Sequence, residues 1–367
     1  MKVFETNSIF ENPLPQLVSR QSIFPSICQL PDGTLAASHV IGQAFEIADQ
    51  VPYISFSSDL GKTWTKPKMM FDFGEKQGKF SGCAKISLLP DGRLIAIGYG
   101  HDRLDPELPV GNPENGGLLD DMVFCSFSED SGKTWSAPRE IVCSWGPHVE
   151  ASGPIVILKD GTLITPITGF PNWDGKMTGP HCGKALRSED NGKTWEDSAV
   201  CMAFENGVTT CYEQRMCQLE SGTIIDIGWN ENTVTGERYD NHYTYSTDNG
   251  KTWSAPISTG IRGQASSVCA LGGEKLLALH AIRRDTNRPG IYAYVIDFSE
   301  KTWKIVDEMV VWEPATPVLK DTKMAEIFAF LKFGQPSAIK LQDGGLLMTH
   351  WYAQDGLYRT VTTRIEL

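Results

Sequence analysis

One recurring element limits what this chain can fold into. Four segments share the pattern Ser-x-Asp-x-Gly-x-x-Trp: Ser57 to Trp64 (SSDLGKTW), Ser128 to Trp135 (SEDSGKTW), Ser188 to Trp195 (SEDNGKTW) and Ser246 to Trp253 (STDNGKTW). A shortened fifth copy runs from Ser299 to Trp303. Each follows a short run of β character, such as Tyr53 to Phe56 or His242 to Tyr245. A second element alternates with the first: an apolar run, a turn usually carrying Asp-Gly, and another apolar run. Its copies span Ser26–Leu35, Ala84–Leu94, Pro154–Leu163, Arg215–Ile224, Ser267–Leu276 and Ser337–Leu346. Asp-Gly between β-rich runs marks a hairpin, because glycine takes positive φ without steric cost.

Six hairpins, most followed by another strand and an Asp-containing turn, make six four-stranded units of roughly 50 to 70 residues. Units of that size and strand count are propeller blades, so the chain reads as all-β, a six-bladed β-propeller. Its 367 residues would by length suggest two or three domains. The internal repeats instead predict one propeller domain over residues 1–367. No stretch reads as a long amphipathic helix; Met324 to Leu331 is expected to form one short helical turn at most.

Composition removes other classes. With 41% apolar residues the chain can build a large core, which excludes disorder. A net charge of −12, from 33 Lys+Arg against 45 Asp+Glu, argues against nucleic acid or an anionic membrane as partner. No apolar run approaches the roughly 18 to 20 residues of a membrane span. The first residues lack a charged segment followed by an apolar one, so a cytoplasmic protein is expected. Nine scattered cysteines without a Cys-x-x-Cys pair read as reduced thiols. Seven histidines include no His-Glu-x-x-His, and neither a metal nor a cofactor is expected.

The Ser-x-Asp-x-Gly-x-x-Trp turns resemble the Asp-box (BNR) repeat of the sialidase superfamily. That resemblance implies a propeller of the sialidase type, with the boxes at the blade periphery and away from the catalytic centre. The box itself reads as a hairpin turn: Asp oxygens accept backbone N–H bonds, Gly is left-handed, and Trp packs into its blade.

In a propeller the inner strands converge on an axis, and ligands sit where they meet. Polar residues at the starts of first hairpin strands and in the loops leaving the second strands are therefore the candidates. They are Arg20, Gln21, Glu46, Asp49, His148, Glu150, Glu213, Arg215, Gln264, Arg288 and Gln335. For each, a solvated loop position is the competing reading. The resemblance assigns roles to three of them. Asp49, eight residues before Ser57, matches the acid/base aspartate. Glu213, six before Leu219, matches the family glutamate, and Arg288 in Arg288-Pro-Gly-Ile291 matches the third carboxylate-binding arginine. Three positions depart from the family. Ile23 stands in place of the first triad arginine, Gly228-Trp229 in place of the second, and Gln335 in place of the nucleophilic tyrosine. Arg20 and Arg215 are near enough in sequence to substitute.

Sialic acid carries a carboxylate on its anomeric carbon, which its hydrolases hold with arginines. Losing two of these and the tyrosine points to a sugar without that group. The chain is accordingly expected to be a glycoside hydrolase acting on an oligosaccharide or glycoconjugate. Asp49 would be the general acid and Glu213 the nucleophile or base. Arg288 would hold a hydroxyl or a uronate carboxylate, and Trp229 would stack on a sugar face, with core packing the competing reading. Three alternatives remain: an exo-α-sialidase with relocated arginines, a non-catalytic glycan- or protein-binding propeller, and a polysaccharide lyase using Tyr212 with Arg288. His39, His280 and His350 recur at the ends of second hairpin strands, either as a ring near the site or as structural histidines, the preferred reading.

Overall fold

The computed structural model describes residues 1–315 and 332–367; the turn expected over Met324 to Leu331 lies outside them. The chain begins with β1 (Lys2–Phe10) and then lays down six antiparallel sheets. Blade one is β2 (Gln21–Gln29), β3 (Leu35–Gly42), β4 (Val51–Ser57) and β5 (Lys68–Met69). Blade two is β6 (Phe80–Leu88), β7 (Leu94–Asp102), β8 (Asp121–Ser128) and β9 (Arg139–Glu140). In blade three the inner strand is split into β10 (Val149–Glu150) and β11 (Val156–Ile157), both paired to β12 (Leu163–Gly169), followed by β13 (Cys182–Ser188) and β14 (Glu196–Ala203). Blade four holds β15 (Tyr212–Gln218), β16 (Ile224–Trp229), β17 (His242–Ser246) and β18 (Ile257–Ser258). Blade five holds β19 (Ser266–Gly272), β20 (Lys275–Ile282), β21 (Gly290–Asp297) and β22 (Lys304–Trp312). Blade six is β23 (Phe333–Lys340), β24 (Leu346–Gln354) and β25 (Leu357–Glu366), with β1 as its fourth strand. These are the six blades that the hairpin repeat implies.

The chain therefore closes on itself. β1 runs antiparallel to β25, from Lys2 opposite Glu366 to Phe10 opposite Thr360. This pairing covers a sheet edge that would otherwise present unpaired N–H and C=O groups. All nine cysteines are free thiols, and eight of them are buried.

Each Asp box links the third strand of its blade to the fourth. In the second box, Ser128 Oγ donates to Asp130 Oδ1 (2.9 Å) and accepts from Gly132 N (2.8 Å). Thr134 N and Oγ1 donate to the two Asp130 oxygens (2.8 and 2.6 Å), and Trp135 Nε1 donates to Gly132 O (3.1 Å). Bonds from the threonine hydroxyl and N–H hold the Asp59, Asp130 and Asp190 carboxyls down at about 2.

The box tryptophans correct one expectation: they do not simply fill their own blades. Trp64 packs against Ile9, Leu341 and Leu347 of blade six as well as Ile27 and Leu35 of blade one. Trp195 joins Ile95, Ile97 and Cys125 of blade two, and Trp253 joins Leu158, Ile164 and Ala185 of blade three. Blades diverge from the axis like wedges, and the indole fills the gap opening at each seam. The box glycine abuts the same seam. Gly250 has φ +79°, and a Cβ there would lie 2.5 Å from Ile164 Cδ1.

Blade four buries one unusual group. Asp226 is fully buried on β16, and neither oxygen makes a well-formed hydrogen bond. Burial pushes its carboxyl up to about 8.

Two stability outcomes are expected. Gly250→Ala should destabilise by about 2–5 kcal/mol, combining the left-handed penalty with displacement of Ile164. Gly146→Ala, at φ +74° with open space around it, should incur only about 1–2 kcal/mol. Urea unfolding midpoints compare the two. For Asp226, the folded state holds a proton that the unfolded chain releases near pH 4. Stability should therefore fall as pH rises from about 4 to about 8. Asp226→Asn should flatten that fall and raise the midpoint at pH 8.

Candidate active site at the ring axis

Three of the six inner strands carry a bulge near their start. The register breaks between Ile23 and Ser26 on β2, between Tyr212 and Arg215 on β15, and between Gly334 and Ser337 on β23. At each break a non-glycine residue is left-handed: Phe24 at φ +54°, Glu213 at +48° and Gln335 at +45°. Such conformations cost about 1–3 kcal/mol each and re-aim a side chain that regular pleating would send elsewhere. Prolines at 25 and 336 follow two of these residues, where a strand interior would not tolerate them.

The re-aimed side chains meet. Glu213 Oε1 accepts from Gln335 Nε2 (2.8 Å), and Oε2 accepts from Trp229 Nε1 (2.9 Å). The Glu213 backbone N–H donates to Glu150 Oε2 (3.0 Å). Lys85 Nζ donates to Gln335 Oε1 (3.3 Å), Phe24 O (3.0 Å) and Pro25 O (3.2 Å). Arg215 Nη1 donates to Ser152 Oγ (2.9 Å) and to Gln214 O (2.7 Å). Arg283, just after β20, donates from Nη1 to Phe333 O (3.1 Å), while its backbone N–H is held by Gln264 Oε1 (3.0 Å). Phe24, Lys85, Glu150, Glu213, Arg283 and Gln335 thus represent all six blades.

Burial dominates the electrostatics of two of the carboxyl groups. Burial, reinforced by the Glu213 charge, raises Glu150 to about 7. Burial also raises Glu46 to about 7; Arg103 opposes this and the Glu213 charge adds to it. Burial lowers Lys85 to about 8 and Arg283 to about 10. Arg103 also pins the loop that carries Glu46, donating from Nη1 to Glu46 O (3.3 Å) and from Nη2 to Leu108 O (2.8 Å). Aromatic rings surround the network. Trp229 meets Tyr212 edge-on at 5.4 Å, and Tyr212 leads on to Phe170 and Tyr99. Phe45 meets Phe24 at 5.7 Å and Trp351 at 5.4 Å.

Of the residues singled out from sequence, Glu213, Gln335, Trp229, Glu150, Arg215 and Gln264 come together here. Asp49 is exposed, and its two oxygens accept from Gln43 N (3.0 Å) and Gln43 Nε2 (2.9 Å). Glu46, three residues earlier in the same loop and at φ +53°, is the carboxyl that feels the Glu213 charge. Arg288 stands apart: it is 63% exposed, and its fork closes on Glu313 at 2.6 and 2.8 Å. Blade five reaches the network through Arg283 instead. Arg20 is exposed in the loop before β2, and His148 is half-buried with Nε2 3.7 Å from Asp120. His39 lies between Ser22 and Ser55 inside blade one, His280 on Asn241 beside blade four, and His350 against Trp312 of blade five; all three are buried.

Lys85, Arg283 and Arg103 carry no motif. The one local sign of Lys85 is a lysine inside the apolar run Ala84-Lys-Ile86. Among the described residues no three His, Cys, Asp or Glu side chains converge as a metal ion would require. A groove of about 440 Å³ lies elsewhere, between Val200–Glu205 and Trp253–Pro256 at the rim.

Comparison with known proteins gives the family and the fold. Residues 110–312 match the BNR repeat-like domain family. An alignment of 232 positions, covering 59% of this chain and 39% of the other, is 28% identical to a sialidase of Bacteroides fragilis (strain YCH46). A protein of unknown function from Dyadobacter fermentans DSM 18053 superposes with a TM-score of 0.76 at 18% identity, covering 100% of this chain and 99% of the other. Hadza microbial sialidase Hz136 gives 0.70 at 15% identity, covering 98% of this chain and 68% of that one. The K499G mutant of NanB sialidase from Streptococcus pneumoniae gives 0.65 at 14% identity, covering 98% and 70%. At such identities the structural likeness is one of fold. The chain belongs to the BNR repeat-like domain family, and its six blades form a sialidase-type propeller.

Proposed function

We propose that this propeller is a glycoside hydrolase that removes a terminal sugar from an oligosaccharide or glycoconjugate. One observation carries the reading. Glu213 is aimed at the axis with both oxygens on N–H donors, and Glu46 near it is raised to about 7. Glycoside hydrolysis requires one carboxyl group that can give up a proton near neutral pH and a second held in place to act at the anomeric carbon. Glu46 donates its proton to the leaving glycosidic oxygen as the C–O bond breaks. Glu213 either attacks the anomeric carbon or takes a proton from the water that does. The surrounding rings supply apolar faces on which a sugar can stack. The sialidase among the sequence relatives supports the same reaction class.

Ile23, Trp229 and Gln335, where the sialidase pattern has two arginines and a tyrosine, favour a sugar without an anomeric carboxylate. A second reading has its own observation: Arg215 and Arg283 bring two guanidinium groups to the Glu213 network. That arrangement would suit an exo-α-sialidase with relocated arginines. A panel of chromogenic glycosides, uronides and a sialyl glycoside separates the two, because release of free sialic acid at an enzymatic rate selects the second.

On whichever glycoside is turned over, Glu213→Gln should lower kcat at least ~1,000-fold. Glu46→Gln should lower kcat about 100- to 10,000-fold on alkyl glycosides, and far less on aryl glycosides whose leaving groups need no proton. An acid works protonated, so wild-type kcat should fall as pH rises through about 7, and Glu46→Gln should lose that limb. If Asp49→Ala reproduces this leaving-group pattern and Glu46→Gln does not, the acid is Asp49.

A further inference from the structure

Lys85 is buried on the inner strand of blade two, yet all three of its protons are used on other blades. Two go to the Phe24 and Pro25 carbonyls at the blade-one bulge and one to the carboxamide oxygen of Gln335 on blade six. Glu150, Glu213 and Arg215 are its charged neighbours from blades three and four. Burying an ammonium costs several kcal/mol even when it is bonded, and a neutral donor would staple the bulge with less desolvation. The distinctive property of an ammonium is that it donates and never accepts.

A carboxamide can present either its oxygen or its NH2 to a neighbour. Gln335 stands between Lys85 and Glu213, bonded at 3.3 Å to the first and 2.8 Å to the second. We propose that Lys85 is a positioning residue: its ammonium admits only the Gln335 oxygen on its side and so forces the amide N–H towards Glu213, fixing the rotamer of the reacting carboxylate. With Lys85 removed, the Gln335 oxygen loses its ammonium partner, and the carboxamide, then held by the Glu213 carboxylate alone, can swing off it. The carboxylate would then turn away from the axis. The functional half of this inference rests on Glu213 being the carboxylate that reacts; the orientation of the amide does not.

The test reads the amide directly. In ¹⁵N–¹H spectra the Gln335 side-chain NH2, identified by its loss in Gln335→Met, is expected as a shifted pair that exchanges slowly. In Lys85→Met it should move to the free-amide position and exchange at least about tenfold faster. Lys85→Gln keeps an N–H donor for the blade-one carbonyls but also offers an oxygen to Gln335. It should give the same spectrum if Lys85→Met does not fold. With a turned-over glycoside, Lys85→Met and Gln335→Met should each lower kcat about 10- to 100-fold with KM little changed, and the double variant should be no worse than either. A Gln335 signal unmoved by both Lys85 variants, or multiplicative losses in the double variant, would overturn the proposal. If no glycoside is turned over, the hydrolase reading falls, while the amide spectrum still decides the role of Lys85.

Discussion

The pairing of β1 with β25 is the constraint on which everything at the axis depends. Six wedge-shaped sheets converge on a common centre only if the last is locked to the first. Here the lock is one long antiparallel ladder between the two ends of the chain. The seams around the ring are sealed by repeated local chemistry. An indole from each box fills the widening gap to the preceding blade, and a basic side chain or hydroxyl from that blade caps a box carbonyl. Lys68 does so for Lys133 O (2.7 Å), Arg187 for Asn249 O (3.2 Å) and Thr362 for Gly61 O (3.0 Å). Rigid seams fix where the inner strands point, and so fix where the bulges on β2, β15 and β23 aim their side chains.

The centre is costly by comparison. Left-handed Phe24, Glu213 and Gln335, together with the buried Lys85 and Glu150, would each be unfavourable in isolation. Their compensation comes largely from other blades, although Trp229 of blade four also bonds Glu213. The Phe24 bulge is held by a lysine of blade two, Gln335 of blade six by the same lysine, and the Glu213 N–H of blade four by Glu150 of blade three. No single blade could hold its own member of this network, so the network requires the assembled ring. That dependence suits a site whose polar groups must be kept at fixed positions.

The same division explains what could be read in advance. Hairpins and boxes were legible because their chemistry is local: Asp-Gly turns, a threonine four residues after an aspartate, a left-handed glycine. β1 was not, because its nine residues resemble any exposed strand and their partners lie 350 or more residues away. At the axis, Glu213 and Gln335 were found by matching a motif, but counting along a loop does not say which carboxyl turns inward. Asp49 and Glu46 lie three residues apart, and the choice between them depends on a positive φ at Glu46 and on Arg103 gripping its carbonyl. Arg288 has the family's spacing but lies at the rim on Glu313, whereas Arg283 lies five residues earlier, at the end of a strand the ring happens to aim inward.

Charge shows the same gap between global and local information. The chain carries a net −12, and on that basis it is ill suited to hold an anion. At the axis the balance differs: Lys85, Arg103, Arg215 and Arg283 stand beside Glu46, Glu150 and Glu213. Two of the three carboxyls are raised to about 7, so near neutrality part of their negative charge is withheld. The field met by a ligand entering this ring is therefore more positive than either the net charge or a count of site residues implies. The acidic surplus sits largely on exposed boxes and loops, where solvent screens it within about 10 Å. If the proposed hydrolase reading holds, a substrate reaching the axis meets these four cations and the surrounding rings, and the overall acidity of the chain has little say in which sugar that is.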